Sequence, residues 1–279
     1  MARRNILDEN LQESAAFLRG RLGGREPAVG IALGSGLNPL ADDIAEAAYV
    51  PFAEVPHMET STAEGHVGRF VCGRLGGVCV LAMQGRLHGY EGYTSQQVAY
   101  PVWLMARLGV GVLITTNAAG ALNPSYRVGD FCIMSDQLNF TGRNPVAAPE
   151  PAQMAERFFS MADAFDPALR AAARATAEER GIAVQEGVYV GLLGPSFETP
   201  AEVRAFRLLG GDTVAMSVCE EVIAARHAGL RVLGISLVSN MGCGIEGAEP
   251  CGQEVMDVAK TREADFARLI TGVLERIEP

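Results

Sequence analysis

Between Met83 and Tyr93 the chain runs Met-Gln-Gly-Arg-Leu-His-Gly-Tyr-Glu-Gly-Tyr, directly after the apolar residues 78–83. Along an extended chain alternate side chains share a face, so Arg86, His88 and Tyr90 point together and Glu91 points away. A forked guanidinium, an imidazole and a phenol on one face suit a small oxyanion with a hydroxyl beside it. Cationic groups near an apolar core are scarce here: the chain has four histidines and one lysine, Lys260. The same segment also reads as a solvated loop with a chance arginine, so the decision rests on what other segments bring to it.

Seven short apolar runs read as buried strands, at residues 29–33, 78–83, 110–116, 131–134, 188–193, 213–216 and 232–238. An N-terminal helical segment (1–24) precedes them. Helices are predicted at 95–108, from Asp166-Pro167 to Arg180, from the capping box Thr199-Pro200-Ala-Glu202 to Leu209, at 220–228 and at 253–277. Residues 141–153 hold three prolines and form a surface loop, not a boundary. The alternation predicts a single α/β domain over 1–279. Strand after strand ends on groups that can hold a ligand: Gly34-Ser35-Gly36, Arg86-Leu-His88, Asn117-Ala-Ala-Gly120, Gly194-Pro-Ser-Phe-Glu198, Met216-Ser217 and Ser239-Asn240. Ligands gather beyond the carboxyl ends of strands in α/β sheets, so these ends predict a shared crevice.

Composition removes several classes of function. The net charge of −10 argues against nucleic acid or an anionic membrane as partner. No apolar run approaches the roughly 20 residues of a bilayer span, and the first residues do not read as a signal peptide, which predicts a cytoplasmic protein. The six cysteines (72, 79, 132, 219, 243 and 251) lack metal-ligand spacing, so no metal is expected. With one lysine there is no phosphate-binding loop ending in Gly-Lys-Ser/Thr. Gly34-Ser35-Gly36 is not a dinucleotide loop either, because position 39 is proline.

Gly34-Ser-Gly-Leu37, Gly65-His-Val-Gly68, Gln84-Gly-Arg-Leu-His-Gly-Tyr-Glu-Gly92, Thr116-Asn-Ala-Ala-Gly120, Gly194-Pro-Ser-Phe-Glu-Thr199, Met216-Ser217 and Ser239-Asn240 occur in the order seen in the trimeric purine nucleoside phosphorylases. The chain closely resembles that family from about Val29 to its last helix. The resemblance implies a mixed, twisted, barrel-like sheet surrounded by helices and a homotrimer with active sites near subunit interfaces. It also implies reversible phosphorolysis of 6-oxopurine nucleosides such as inosine and guanosine, with orthophosphate as co-substrate and no cofactor.

Carried over residue by residue, Ser35, His66, Arg86, His88, the Ala118 N–H and Ser217 resemble the phosphate site. Gly34 and Gly36 let backbone come close to the anion. Tyr90 and the Met216 backbone resemble the sugar contacts, with Asn117 and Ser239 beside the nucleoside. Phe158 is similar to an aromatic residue lent by a neighbouring subunit. Phe197 and Val214 resemble the walls against the purine, and Glu198 and Asn240 the groups that bond it. His88, Glu198 and Asn240 are the expected catalytic residues. Asn240 can donate to N7 as charge develops on the leaving base.

One departure stands out. Gly252 occupies the position where the family carries a histidine for the ribose 5′-hydroxyl, which predicts tolerance of 5′-modified nucleosides. A phosphorylase of methylthio-nucleosides, a nucleosidase using water and a non-catalytic nucleoside-binding protein remain as alternatives.

Overall fold

The structure, a computed structural model, describes residues 4–63 and 65–278. Their elements in chain order are α1 (Ile6–Arg21), β1 (Val29–Leu33), β2 (Ala45–Pro51), β3 (Arg69–Leu75), β4 (Val78–Gln84), α2 (Ser95–Arg107), β5 (Val112–Ala121), β6 (Phe131–Asn139), α3 (Pro167–Arg180), β7 (Val184–Gly191), α4 (Pro200–Leu208), β8 (Thr213–Ala215), α5 (Cys219–His227), β9 (Arg231–Met241) and α6 (Gly252–Leu274). Each predicted run overlaps a strand, although those at 110–116, 188–193 and 213–216 overrun theirs by one or two residues and β5, β6, β7 and β9 continue beyond the residues expected. Strands β2 and β3 were not predicted. β2 lies at the sheet edge with mostly accessible side chains, so its sequence carries no apolar signal.

All nine strands join one sheet in the order β2-β3-β4-β1-β5-β8-β7-β6-β9, and β9 pairs back onto β5. The result is a closed ring of β5, β8, β7, β6 and β9, with β1, β4, β3 and β2 as a wing. Pairing is mixed: β1 is parallel to β4 and β5, whereas β5 is antiparallel to β8 and β6 to β9. The predicted barrel-like mixed sheet is therefore present.

Alternation along the strands sends side chains into two cores. Leu81 and Met83 of β4 pack with Leu11 and Leu18 of α1, Trp103 of α2 and Val222 of α5. Val80 and Ala82 pack instead with Leu169 of α3 and Phe266, Leu269 and Ile270 of α6. The helices begin where the sequence provides caps. Thr94 with Gln97 and Thr199 with Glu202 form capping boxes, and Asp166 accepts from the amides of Ala168 and Leu169 ahead of Pro167. No helix among the described residues is long and apolar enough to cross a membrane.

One strand positions most of the chemistry. β5 pairs with β1 from Val112 to Thr115 and with β8 only at Gly120 and Ala121. On that edge residues 116–119 carry no strand partner, while β9 continues along the other edge with a register shift after Ala119. Backbone groups there are free of strand pairing on that edge, at a switch point of the sheet.

Candidate active site

A cavity of about 220 Å³ opens at this gap in β5. It is lined by Ser35, Arg86, His88, Tyr90, Asn117, Ala118, Phe197, Glu198, Val214, Met216, Ser217, Ser239 and Asn240. Thus all but two of the residues expected from sequence meet in one place. Pro195 and Val255 also line it, and sequence reasoning had given neither a role of its own.

Arg86 does not present its fork to the cavity, as the extended reading supposed. Nε and Nη2 donate to the two oxygens of Glu221 at 2.8 and 3.1 Å, and Nη2 also reaches Thr115 Oγ1 at 3.0 Å. Nη1 donates to the Thr116 carbonyl at 2.6 Å. The contact left toward the cavity runs from Nη1 to Ser217 Oγ at a loose 3.4 Å. Arg86 and Glu221 are each 1% exposed, so this is a fully buried, bidentate ion pair. Glu221 was missed because it reads as one acidic residue in the first turn of a helix. Only the fold brings it to an arginine 135 positions away.

The glycines around Ser35 serve the protein more than an anion. A methyl on Gly34 would meet the Thr116 carbonyl at 2.7 Å and Arg86 Nη1 at 3.1 Å, and one on Gly36 would run into Ala259 of α6. Their missing side chains let the Arg86 cluster and α6 close around the loop.

After Arg86 the chain does not stay extended. Gly89–Glu91 form a 3₁₀ turn, which Gly92 ends in the left-handed region at φ 93°. The turn swings Glu91 back toward the site, correcting the expectation that it faces away. Its carboxylate accepts from His88 N at 2.8 Å and His88 Nδ1 at 2.9 Å, and from Thr62 N and Oγ1 at 2.6 and 2.7 Å. Burial opposes ionisation of Glu91, but these bonds outweigh it and bring its pKa down to about 2. Burial lowers the pKa of His88 despite the Glu91 bond. A neutral His88 with its proton on Nδ1 keeps Nε2 as an acceptor.

His66 is one of the two expected residues outside the cavity lining. It stacks behind His88, ring centroids 5.1 Å apart, and His88 stacks on Tyr90 at 4.5 Å. His66 Nδ1 lies 3.2 Å from the Arg86 amide, from which it accepts. Burial, then the neighbouring His88 and Arg86, lower its pKa to about 4. Burial raises that of Tyr90 to about 12, so its phenol stays protonated.

Ser217 sits at a strained corner. Val218, the next residue, has φ 71°, a rare conformation for a β-branched side chain. The corner is held by buried Tyr189, whose hydroxyl donates to the Ser217 carbonyl at 2.8 Å. It turns β8 into α5 within a few residues, which lets Ser217 and Glu221 both face Arg86.

At the other end the amide of Asn240 is already oriented. Its Oδ1 accepts from Ser239 Oγ at 2.8 Å, and Nδ2 donates one hydrogen to the Met241 carbonyl at 3.0 Å, leaving the second. Asn117 is similarly engaged, with Ser236 Oγ at 2.8 Å and the Ala118 carbonyl at 3.0 Å. Ser239 and Asn117 therefore shape the wall through their neighbours. Burial raises the pKa of Glu198. Phe197 is half exposed at the rim.

Phe158 is the second residue outside the lining. It is 83% exposed, on the rim of a separate depression with Asn144, Arg157 and Ile223. Gly252 is the first residue of α6, and a methyl built on it would meet nothing within 4 Å. It precedes the cavity residue Val255 by three positions, on the same face of the helix.

Comparison with known proteins agrees with this fold. The model of the phosphorylase superfamily matches residues 28–275. Purine nucleoside phosphorylase 1 of Bacillus subtilis (strain 168) is 44% identical over 272 residues, covering 98% of this chain and all of the relative. The purine nucleoside phosphorylase of Mus musculus is 42% identical, covering 90% of this chain and 89% of its own. A crystal structure of the Schistosoma mansoni purine nucleoside phosphorylase with inosine superposes with a TM-score of 0.92. It is 34% identical, covering 99% of this chain and 98% of that one.

Proposed function

The chain belongs to the phosphorylase superfamily and, within it, to the purine nucleoside phosphorylases, and from that premise we propose how its cavity splits 6-oxopurine nucleosides with orthophosphate. The products are the free base and ribose or deoxyribose 1-phosphate, and no cofactor enters the reaction. Breaking the glycosidic bond builds positive charge on the sugar and negative charge on the departing purine. Rate then comes from groups waiting where those charges appear.

Orthophosphate takes the end under β5. Ser35, the Ala118 N–H, Ser217 and the remaining Arg86 N–H donate to its ionised oxygens. His88 Nε2 accepts the proton that hydrogen phosphate still carries, and His66 supports His88 from behind. Tyr90 and the Met216 backbone take the sugar hydroxyls. The purine lies against Phe197 and Val214 with Glu198 accepting from N1–H. The second Asn240 N–H points to N7 and tightens as charge arrives there, which lowers the barrier and not only the ground state. Adenine lacks the N1–H that Glu198 needs, so the ionised carboxylate favours hypoxanthine and guanine. The setting this reaction serves is purine salvage in the cytoplasm.

The observation that carries this reading is that the oxyanion donors and the Phe197–Glu198–Asn240 group share one cavity. Inosine cleavage assayed with and without phosphate tests it. The reading expects cleavage only with phosphate and ribose 1-phosphate as product. Phosphate-independent cleavage would make the protein a nucleosidase, and binding without cleavage a sensor. Exposed Phe158, outside its own chain's cavity, supports a homotrimer in which it completes the site of another copy; sedimentation tests that assembly.

A second reading concerns the sugar's 5′ end. The open space at Gly252, one helical turn before Val255, favours acceptance of 5′-deoxy or 5′-substituted nucleosides such as methylthio-nucleosides.

A further inference from the structure

Arg143 and Glu220 are buried charges that the reaction as described does not use. Arg143 follows β6, and Glu220 is the second residue of α5, next to the Glu221 that holds Arg86. Arg143 Nε lies 2.9 Å from Glu220 Oε1, and Nη2 donates to the Tyr93 carbonyl at 2.6 Å. The side chains are only 17% and 8% exposed. The guanidinium crosses the backbone of Gly89, and Nη1 fills the space a side chain on that glycine would need.

The two adjacent carboxylates at the start of α5 therefore hold two arginines, Arg86 at the start of the segment 86–93 and Arg143 against Gly89 and the Tyr93 carbonyl. What lies between them is the turn Gly89–Glu91, with glycine at its first position and glycine again just after it. Two glycines leave this turn few restraints of its own. The inner side of the turn is fixed by Glu91 through His88 and Thr62. Tyr90 at its centre is steadied by stacking on His88. Its outer side is fixed by Arg143. Burying an ion pair costs desolvation, and apolar packing here would give comparable stability. The geometry delivers something packing does not: a charge on α5 that holds Arg143 against Gly89, with a hydrogen bond from its Nη2 to the Tyr93 carbonyl.

We propose that Arg143, held by Glu220, is a positioning residue that fixes the Gly89–Glu91 turn and thereby the Tyr90 hydroxyl against the nucleoside sugar. The proposal rests on the reading of Tyr90 as a sugar contact, and the test separates the two. Steady-state KM for inosine and for phosphate are measured for Arg143→Met, Arg143→Lys, Glu220→Gln, Tyr90→Phe and the double variant Arg143→Met/Tyr90→Phe.

Arg143→Met should raise the KM for inosine about tenfold and leave that for phosphate within about twofold. Lysine reaches one of the two acceptors and should give about threefold. With Tyr90→Phe already present, adding Arg143→Met should change the inosine KM by less than about twofold, because the group it positions is gone. A rise in both KM values, a fall in kcat alone, or effects that multiply in the double variant would overturn the proposal. An unchanged inosine KM in Tyr90→Phe sinks the sugar-contact reading and the proposal together. A raised KM there with none in Arg143→Met sinks the proposal alone. Should Arg143→Met fail to fold, Arg143→Lys and Glu220→Gln, each alone and combined with Tyr90→Phe, decide by the same criteria.

Discussion

At the end of the cavity under β5, Arg86 gives its hydrogen bonds to Glu221, Thr115 and Thr116, Glu91 clamps His88, and Tyr189 braces a strained corner at Val218. At the opposite end Phe197 is 41% exposed, and Glu198 sits beside it with its pKa raised by burial. Only Asn240 there is oriented in advance, by Ser239 and the Met241 carbonyl. One end is a rigid receptor cross-linked to the sheet; the other is a rim with a single fixed amide. The contrast matches two kinds of substrate. Orthophosphate never changes shape, so its site can be locked before it arrives. Purines vary at their edge, so their site needs one fixed donor for N7 and walls that adjust.

The rigid end should break most visibly in stability. Glu221→Ala leaves the Arg86 guanidinium buried without its carboxylate, and Arg86→Met leaves Glu221 in the same state. Each should cost about 3–5 kcal/mol in urea unfolding, besides raising the KM for phosphate. Phe197→Ala at the rim should cost far less, because its ring is already half in solvent. Equal losses at both ends would erase the distinction.

Asn240→Ala tests the one preorganised group of the adjustable end. It should lower kcat for inosine about 10²–10³-fold and shift the KM for phosphate little. Parallel losses in kcat and phosphate affinity would mean that the two ends do not act separately.

His66 links the rigid end to pH. Its pKa is about 4 in the folded chain against 6.5 for an ordinary histidine, so as pH falls the unfolded chain takes up the proton first. Stability is therefore complete above pH 6.5 and declines between 6.5 and 4, by about 3 kcal/mol at most. Urea unfolding of His66→Asn across that window should show a flatter profile.

Glu198 acts in the opposite sense on activity. Its pKa lies above the ordinary 4.5, so kcat/KM for inosine should begin to fall with acidity sooner than an ordinary glutamate would cause. Glu198→Gln should remove that acid limb and lower kcat/KM by about tenfold. The smallest effect concerns the 5′ end. With Gly252 supplying no side chain, 5′-deoxyinosine and inosine should differ by no more than about 0.5–1.5 kcal/mol in kcat/KM.

The contrast also explains what the sequence made legible. Short apolar runs and capping residues revealed the buried strands and the main helices, because burial and capping are local signals. Strand β2 escaped, since an edge strand with accessible side chains has no apolar period to read; β3 lies inside the sheet and is mostly buried, but its apolar run is short, broken by Gly73 and flanked by Arg69 and Arg74. The site's polar residues were visible because each stands at the end of a strand. Their partners were not: Glu221, Tyr189 and Thr115 meet Arg86 or Ser217 only through the fold. The turn at Gly89–Glu91 escaped for a different reason. An extended path and a 3₁₀ turn place Arg86 and His88 alike but send Glu91 in opposite directions, and the bond from His88 to Glu91 selects the turn.

A crystal structure grown with phosphate and hypoxanthine together tests the central claim most directly. The account predicts both in the single cavity, the oxyanion within hydrogen-bond reach of Ser35, His88, Ala118 N–H and Ser217, and the purine against Phe197 with N7 on Asn240. Phosphate and base found in separate, unconnected places would contradict it.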